Sequence, residues 1–441
     1  MGESSFVNGP YTRAGRSARQ ASAQRAVPKE DRPPGGRMAG AKSSARKGAG
    51  LDWPLIGVVI GLTLFGLLMV YSAGPKFAIE IDRSPDFFLI RQSIWAVVGI
   101  GAAFVLSRIP YHFFQRVTVP MMILTVMMLI AVAILADTTL GSNRSIFSGS
   151  IRPSELAKLV IIIYVSVWLT AKREVLNDIT LGLFPLMFIL GITGGLILVQ
   201  PDLSAAITII LLGGILFFLA GGELRQISLT IAVTGLIGWG VINLYPTGIQ
   251  RITDYIKGLQ NMANASYHVQ RSLEAIINGG LFGVGIGHSS TKFTGLPVAP
   301  TDSIFAVIAE ETGLIGAGVI ILAYIVILWR GIEIARNTED PLGSLLASGI
   351  TIWIVIEALL NMAVMVNLLP HAGNALPLIS YGGSNMTVTM VGIGILLNIA
   401  RTSGDRKSSK EGGTFASVVN LRWRDRRGRV SRSGNPANSR Q

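Results

Sequence analysis

The sequence contains no cysteine, which excludes a disulfide scaffold, thiol catalysis and cysteine-ligated zinc or iron–sulfur clusters. Its four histidines include no i, i+4 pair, so a histidine-based zinc site is not indicated. Charged residues make up only 14% of the 441 positions, whereas soluble domains carry roughly 25%. Mean hydropathy is +0.53, and apolar runs of about 18 to 25 residues recur, each long enough to cross a bilayer. These features exclude a soluble globular protein.

Ten apolar runs predict an all-α integral membrane protein with ten transmembrane helices. The predicted spans are 53–73, 88–107, 117–136, 155–171, 181–199, 203–220, 227–245, 303–329, 343–368 and 384–401. Only Gln200, Pro201 and Asp202 separate the fifth span from the sixth. A tight hairpin or a broken helix is therefore predicted at that point.

The basic residues are concentrated at the two ends of the chain. Residues 1–50 hold ten Lys and Arg against three acidic residues, and residues 401–441 hold eleven against three. The positive-inside rule then places both termini in the cytoplasm, which an even number of spans allows. We interpret 1–50 and 404–441 as disordered basic tails around a membrane domain at 51–403. Beside membrane spans, such tails favour anionic lipid or topology control over nucleic acid.

The same topology places a long loop, residues 246–302, outside the cytoplasm between spans 7 and 8. Long loops in compact proteins are usually functional or disordered, and this one is too apolar for disorder. Its amphipathic stretch 267–276 predicts a short helix lying in the membrane interface.

Ionisable residues within or beside spans are costly and are therefore candidates for function. Most of them fall at predicted outer ends. The groups are Glu155 with Lys158, Gln200 to Asp202, Asp302, Glu310 with Glu311, and Glu357 with Asn361; His371 lies on the same side.

Each of these groups also has a purely structural interpretation. Asp302 is placed to cap the eighth span. Glu155 suits the first turn of a helix, and Lys158 stands three residues further on, within pairing distance. Glu310 and Glu311 point to different faces, which favours pairing inside the bundle for at least one of them.

Four motifs in order resemble the SEDS family (shape, elongation, division and sporulation) of bacterial peptidoglycan glycosyltransferases. The motifs are Arg-Pro-Ser-Glu-Leu-Ala-Lys at 152–158, Gln-Pro-Asp at 200–202, Pro-Thr-Asp-Ser-Ile-Phe-Ala at 300–306 with Glu310 and Glu311, and Leu-Pro-Leu-Ile-Ser-Tyr-Gly-Gly-Ser at 376–384. The resemblance implies a multi-pass protein of the bacterial plasma membrane with the ten-span topology described above. The segment 287–297 favours the division-type branch over the elongation-type branch.

The resemblance also implies polymerisation of lipid II, the undecaprenyl-pyrophosphate disaccharide-pentapeptide. Asp302 is then the candidate general base for the acceptor 4-hydroxyl, with Lys158 and Glu155 as its catalytic partners. Since a free carboxylate is a weak base at neutral pH, neighbours and partial desolvation must set its basicity. Candidate substrate contacts are Arg144, Gln200, Asp202, Arg251, Arg271, Lys292, Ser380, Gly382, Gly383 and Ser384. A divalent cation, Mg²⁺ or Mn²⁺, is a further expectation at the pyrophosphate.

The sequence departs from the family pattern at several motif positions. Pro300 and Arg152 stand where His and Gln are usual, and Ala372 replaces a lysine that many division-type members carry. The expected partners are a class B penicillin-binding protein and other divisome or elongasome proteins.

Two other classes of function remain open at this point. A lipid II flippase or proton-coupled transporter also uses membrane carboxylates, but it predicts charges near the midplane and internal repeats; no convincing repeat is present. A scaffold that only recruits cell-wall enzymes would make Asp302 dispensable.

Overall fold

The computed structural model describes residues 52–135, 152–176, 178–200, 202–244 and 246–404. Within these ranges every regular element is a helix. The predicted tails, apart from Gly404, and the candidate contact Arg144 lie outside the described residues.

Thirteen α-helices occur in the described ranges. They are α1 Trp53–Glu80, α2 Phe87–Leu106, α3 Phe113–Leu135, α4 Pro153–Ala171, α5 Phe184–Val199, α6 Leu203–Leu219, α7 Leu224–Leu244, α8 Pro246–Gln260, α9 Tyr267–Gly279, α10 Thr291–Thr294, α11 Ile304–Asn337, α12 Pro341–Met365 and α13 Gly383–Gly404. Eight are long and apolar enough to cross a membrane, if α5 is counted with the π-helical turn Ile179–Leu183 before it. The protein is therefore a multi-pass membrane protein.

The two remaining apolar helices, α6 with 17 residues and α7 with 21, also fall where spans are predicted. The short connection at 200–202 is confirmed, since α5 ends at Val199 and α6 begins at Leu203. The predicted helix at 267–276 is also confirmed, as α9.

Helices α4, α12 and α13 form the centre of the bundle. Each buries about two thirds or more of its apolar stretch, whereas α1, α2 and α3 bury less than half of theirs. Lipid-facing helices expose apolar side chains at no cost because the bilayer core is itself apolar. The central helices carry the charged candidates Glu155, Lys158 and Glu357.

A salt bridge joins α1 and α11 at the end of the bundle away from Asp302. Asp52 caps α1, accepting a hydrogen bond from Leu55 N at 3.2 Å. The Arg330 guanidinium donates to the same carboxylate, with Nη2 2.6 Å from Oδ2. The two longest helices are thereby held in register.

Helix α11 is interrupted at Gly313, whose φ of 69° and ψ of −173° are not helical. The loop after α9 fills the interruption. Val284 N donates to Glu310 O at 3.0 Å, and Leu314 N donates to Gly280 O at 3.0 Å. A side chain at position 313 would meet Leu281 O, so only glycine fits there. The loop thus pairs the backbone groups that the break would otherwise leave unsatisfied.

The two glutamates before this break are both buried and both partnered. Glu310 accepts hydrogen bonds from the turn 289–291, including Thr291 Oγ1 at 2.9 Å. Glu311 pairs with Lys292 Nζ at 2.7 Å and accepts a hydrogen bond from Ser72 Oγ at 2.6 Å. The expectation that at least one of the two pairs inside the bundle is confirmed.

We expect Glu311→Gln to destabilise the protein by about 3–5 kcal/mol, because it leaves the buried Lys292 ammonium without a counter-charge. The free energy of unfolding in detergent measures the effect. The double variant Glu311→Gln/Lys292→Met should recover most of the loss, and Lys257→Met, at an exposed lysine, should change little. Equal stability of Glu311→Gln and the wild type would contradict this account.

Candidate active site

A cleft at the Asp302 end of the central helices brings predicted site residues together. Its volume is about 430 Å³, counting space that opens to solvent. It is lined by Arg152, Glu155, Thr301, Asp302, Ala375, Tyr381, Gly382, Gly383, Ser384 and Asn385. Five of the thirteen sequence-predicted site residues, from three separate motifs, therefore share one cavity.

Asp302 lies in the turn just before α11 and is partly exposed. The N-cap position belongs to Ser303, and its side chain makes no capping bond, so Asp302 does not serve as the predicted cap. Asn361 Nδ2 holds the Asp302 backbone, donating to its carbonyl at 2.8 Å. Gly373 approaches the carboxylate so closely that an added Cβ would lie 3.3 Å from Oδ2. Asn361 therefore holds the Asp302 backbone, and Gly373 leaves room for its carboxylate.

The 376–384 motif packs directly against the turn that carries Asp302. Ser380 Oγ donates to Thr301 O at 2.7 Å and accepts from Leu376 N at 2.6 Å. Tyr381 N donates to Pro300 O at 2.9 Å. Ser380 therefore links the 376–384 motif to the Asp302 turn by hydrogen bonds. Its contact with substrate stays a prediction.

Below the cleft, the Lys158 ammonium lies between two glutamates. Lys158 Nζ is 2.8 Å from Glu155 Oε2 and also bonds Glu357 Oε1. Asn385 Nδ2 donates to Glu155 Oε2 at 3.1 Å. Two buried carboxylates share one cation, and Glu155 connects this group to the cleft. The coupling of Lys158 with Asp302 stays a prediction.

Sequence reasoning singled out Glu357 but did not place it in the site. Its partner Lys158 lies on another helix, far away in the sequence. The available signal was a carboxylate inside an apolar span, which is costly unless it is paired.

The other predicted contacts have structural partners of their own. Gln200 Nε2 donates to Leu129 O at 2.8 Å. Asp202 caps α6 and accepts a hydrogen bond from Ser154 Oγ at 3.1 Å. Arg271 pairs with Glu274 at 2.7 Å. Their roles as substrate contacts stay predictions, as does that of Lys292 in its buried pair.

A hydrogen-bonded chain that the sequence analysis missed connects α9 to the start of α11. Ser303 Oγ donates its single hydrogen to Pro297 O at 2.6 Å. His268 Nε2, at 2.9 Å from the same oxygen, must therefore be the donor in that contact. His268 Nδ1 is then unprotonated, and it is buried without a hydrogen-bond partner among the described residues. This chain fixes the residue that follows Asp302.

A family model described as "Cell cycle protein", which covers FtsW, RodA and SpoVE, matches residues 52–405. The chain belongs to this family. The family is the SEDS family that the four motifs indicated, and its match covers every described residue.

Curated relatives are similar over nearly their whole lengths. A Geobacter sp. strain M18 protein named probable peptidoglycan glycosyltransferase FtsW is 35% identical over 80% of this chain and 98% of its own. Stage V sporulation protein E of Bacillus subtilis is 34% identical over 80% and 97%.

Solved SEDS structures share the fold. One chain of a peptidoglycan synthase complex matches with a TM-score of 0.65 at 22% identity, covering 80% of this chain and 98% of that one. Thermus thermophilus RodA matches with a TM-score of 0.59 at 23% identity, covering 80% and 97%. At these identities the comparison establishes the fold alone.

A divalent cation stays a prediction for this SEDS chain. In the part of the chain that the structure describes, no three His, Asp or Glu side chains are grouped so as to hold a metal ion. We therefore derive no step through a metal.

Burial lowers the pKa of His268 from 6.5 to about 4, so the folded protein keeps this imidazole neutral while the unfolded chain protonates below pH 6.5. Stability is therefore lost as pH falls from 6.5 towards 4. Between pH 7 and pH 5 we expect the wild type to lose about 2 kcal/mol relative to His268→Gln. Unfolding in detergent at the two pH values measures this difference.

The matched control is His288→Gln, at an exposed histidine, which should follow the wild type. If His268→Gln loses as much stability on acidification as the wild type does, His268 is not held neutral by burial.

Proposed function

We propose that this SEDS protein is a peptidoglycan glycosyltransferase that polymerises lipid II at the outer face of the bacterial plasma membrane. The observation that carries the proposal is the cleft in which Asp302 and Glu155 meet the 382–384 segment at one end of the bundle. Glycan transfer from a lipid donor needs an acid–base group at the membrane surface, where the sugars lie. The names of the curated relatives support the same activity.

In the proposed reaction the acceptor hydroxyl is the group that needs activation. The lipid pyrophosphate that departs from the donor sugar is a good leaving group. Asp302 accepts the proton of the acceptor 4-hydroxyl as that oxygen bonds to the donor C1 and the C1–pyrophosphate bond breaks. Asn361 holds the backbone of Asp302, and the absence of a side chain at Gly373 leaves room for Oδ2; both help to place the carboxylate before substrate binds.

The Glu155–Lys158–Glu357 group acts as the electrostatic and structural support of the Asp302 cleft. It keeps one carboxylate, Glu155, at the cleft wall in a fixed position. Of the candidate substrate contacts, Gly382, Gly383 and Ser384 line the cleft. Gly382 N donates to Gln92 Oε1 at 3.1 Å and Ser384 Oγ accepts from Arg152 N at 2.7 Å, so this wall of the cleft is held in place.

The proposed topology has ten spans, both termini in the cytoplasm and the 246–302 loop outside. The ten apolar helices α1–α7 and α11–α13 support this count. The Asp52–Arg330 pair at the end opposite to Asp302 suits the cytoplasmic side, where Arg and Lys are favoured. We assign the chain to the division branch because FtsW and SpoVE proteins are its curated relatives.

A flippase or proton-coupled transporter remains the second candidate. A transporter of this kind is expected to carry ionisable groups near the bilayer midplane. Glu155 lies in the first turn of α4, and Asp302 precedes α11, so both belong to the outer end. This position favours surface chemistry.

We expect Asp302→Asn to fold normally and to lower lipid II polymerisation by about 10²–10⁴-fold, the usual contribution of a general base. Asn keeps the size of the side chain but cannot accept the proton. Glycan formation on gels and melting in detergent measure activity and folding. The control Asp86→Asn, at an exposed outer-loop aspartate, should match the wild type, and full activity of Asp302→Asn would rule out the base.

A class B penicillin-binding protein is the proposed partner, supported by the similar fold in a peptidoglycan synthase complex. The loop at 246–302 is the proposed switch, since it leads directly into Asp302. If 1% of the protein is active alone and the partner raises this to 50%, about 2.7 kcal/mol of differential affinity is needed. One modest interface supplies that.

We therefore expect the partner to raise turnover by about 50-fold, in line with this population shift. Turnover at saturating lipid II in liposomes, with and without the partner, is the measurement. Complex formation is verified separately. A change below about twofold in a confirmed complex would mean that the loop is a fixed lid.

A further inference from the structure

A second cavity lies beside the proposed active site and has no role in the mechanism above. Its volume is about 220 Å³, enough for part of a small ligand. Helix α8 forms one side, and the start of α9 and the 367–371 segment form the other. The lining residues are Gln250, Arg251, Asp254, Tyr255, Ser266, His268, Val269, Asn367 and His371.

Two residues in the wall of this cavity connect it to the segments around Asp302. His268, in its wall, is hydrogen-bonded to Ser303, the neighbour of Asp302. His371, also in its wall, precedes by two residues the glycine that faces the Asp302 carboxylate. The wall of this cavity is therefore tied to the segments that hold Asp302.

The charges of the lining do not suit a pyrophosphate. Among the lining residues, Arg251 carries the one Arg or Lys charge. Asp254, one turn along α8, offsets this positive charge. His268 is neutral at pH 7, because burial lowers its pKa to about 4. Phosphate sites are instead built from several cations or from helix N-terminal amides.

Eight of the nine lining residues carry a polar atom, and a lipid tail would leave these atoms without hydrogen-bond partners. The lining combines three flat rings, those of Tyr255, His268 and His371, with amide and carboxylate groups. The rings of His268 and His371 lie 4.2 Å apart. Apolar ring faces with a few placed polar groups recognise a neutral ligand that carries hydroxyl and amide groups.

We propose that this second cavity binds a neutral N-acetylated sugar unit of the glycan strand, next to the unit that reacts at Asp302. This inference rests on the proposed function and names a further subsite for it. A strand held at two places dissociates more slowly between additions, because the second contact acts at high effective concentration. The cavity would therefore set the length of the product.

The direct test uses tetra-N-acetylchitotetraose, a soluble neutral sugar chain, labelled at its reducing end and added to the full chain in detergent. Fluorescence anisotropy measures its affinity. The variant Gln250→Ala/Asp254→Ala removes two polar groups from the α8 wall. It should weaken binding by about tenfold, the worth of one or two hydrogen bonds. Gln250→Trp, which fills the cavity, should abolish binding.

The matched control is Thr253→Ala, on the same helix but on its exposed opposite face. Both it and Asp302→Asn should bind the probe within about twofold of the wild type. No binding to the wild type, or equal binding by wild type and both α8 variants, overturns the proposal. Displacement of the probe by inorganic pyrophosphate, lost in Arg251→Gln, also overturns it, since the site would then be an anion site.

Glycan length separates this proposal from the proposed function. With partner and lipid II, Gln250→Ala/Asp254→Ala should form the first bond at the wild-type rate and make shorter strands. If the wild type binds the probe but forms no bond, the proposed function fails and the sugar site stands. If strands are of normal length in this variant, the subsite proposal is wrong.

Discussion

The loop after α9 and the first turns of α11 are held together at the break in α11 at Gly313. Backbone groups in or near a bilayer must be paired, and the loop around 280–285 supplies the pairing where the helix is interrupted. Glu310 and Glu311, directly before the break, hold the turn at 289–292. The loop, the two glutamates and the first turns of α11 therefore form one unit. Asp302 lies directly before α11, at the edge of that unit.

The carboxylates at the Asp302 end of the bundle differ in their surroundings. Glu155, Glu357 and Glu311 each lie against a buried lysine, so their charges are compensated and they hold helices together. Asp302 instead lines an open cleft, and the structure fixes its backbone firmly. A buried, paired carboxylate stabilises a fold, whereas an oriented and accessible one can take a proton from a substrate. The same residue type thus serves both structure and chemistry.

Hydropathy predicted the eight helices that are long and apolar enough to cross a membrane, because an apolar run of that length can satisfy its backbone in lipid only as a helix. The motifs around Glu155, Asp302 and 382–384 also predicted side chains that meet in one cleft. The long-range partners could not be predicted. Glu357 joins a lysine on another helix, and Gly313 is one of 51 glycines, with nothing local to mark it as a break. Such features depend on packing between distant segments.

The central claim is that the ionised Asp302 carboxylate activates the acceptor hydroxyl. The most direct measurement is the rate of a single glycosidic bond formation as a function of pH, with the partner bound and lipid II saturating. In the wild type the rate should rise on the acid side with the titration of one carboxyl group. In Asp302→Asn the residual rate should be flat over the same range. The same acid-side titration in Asp302→Asn as in the wild type would contradict the account.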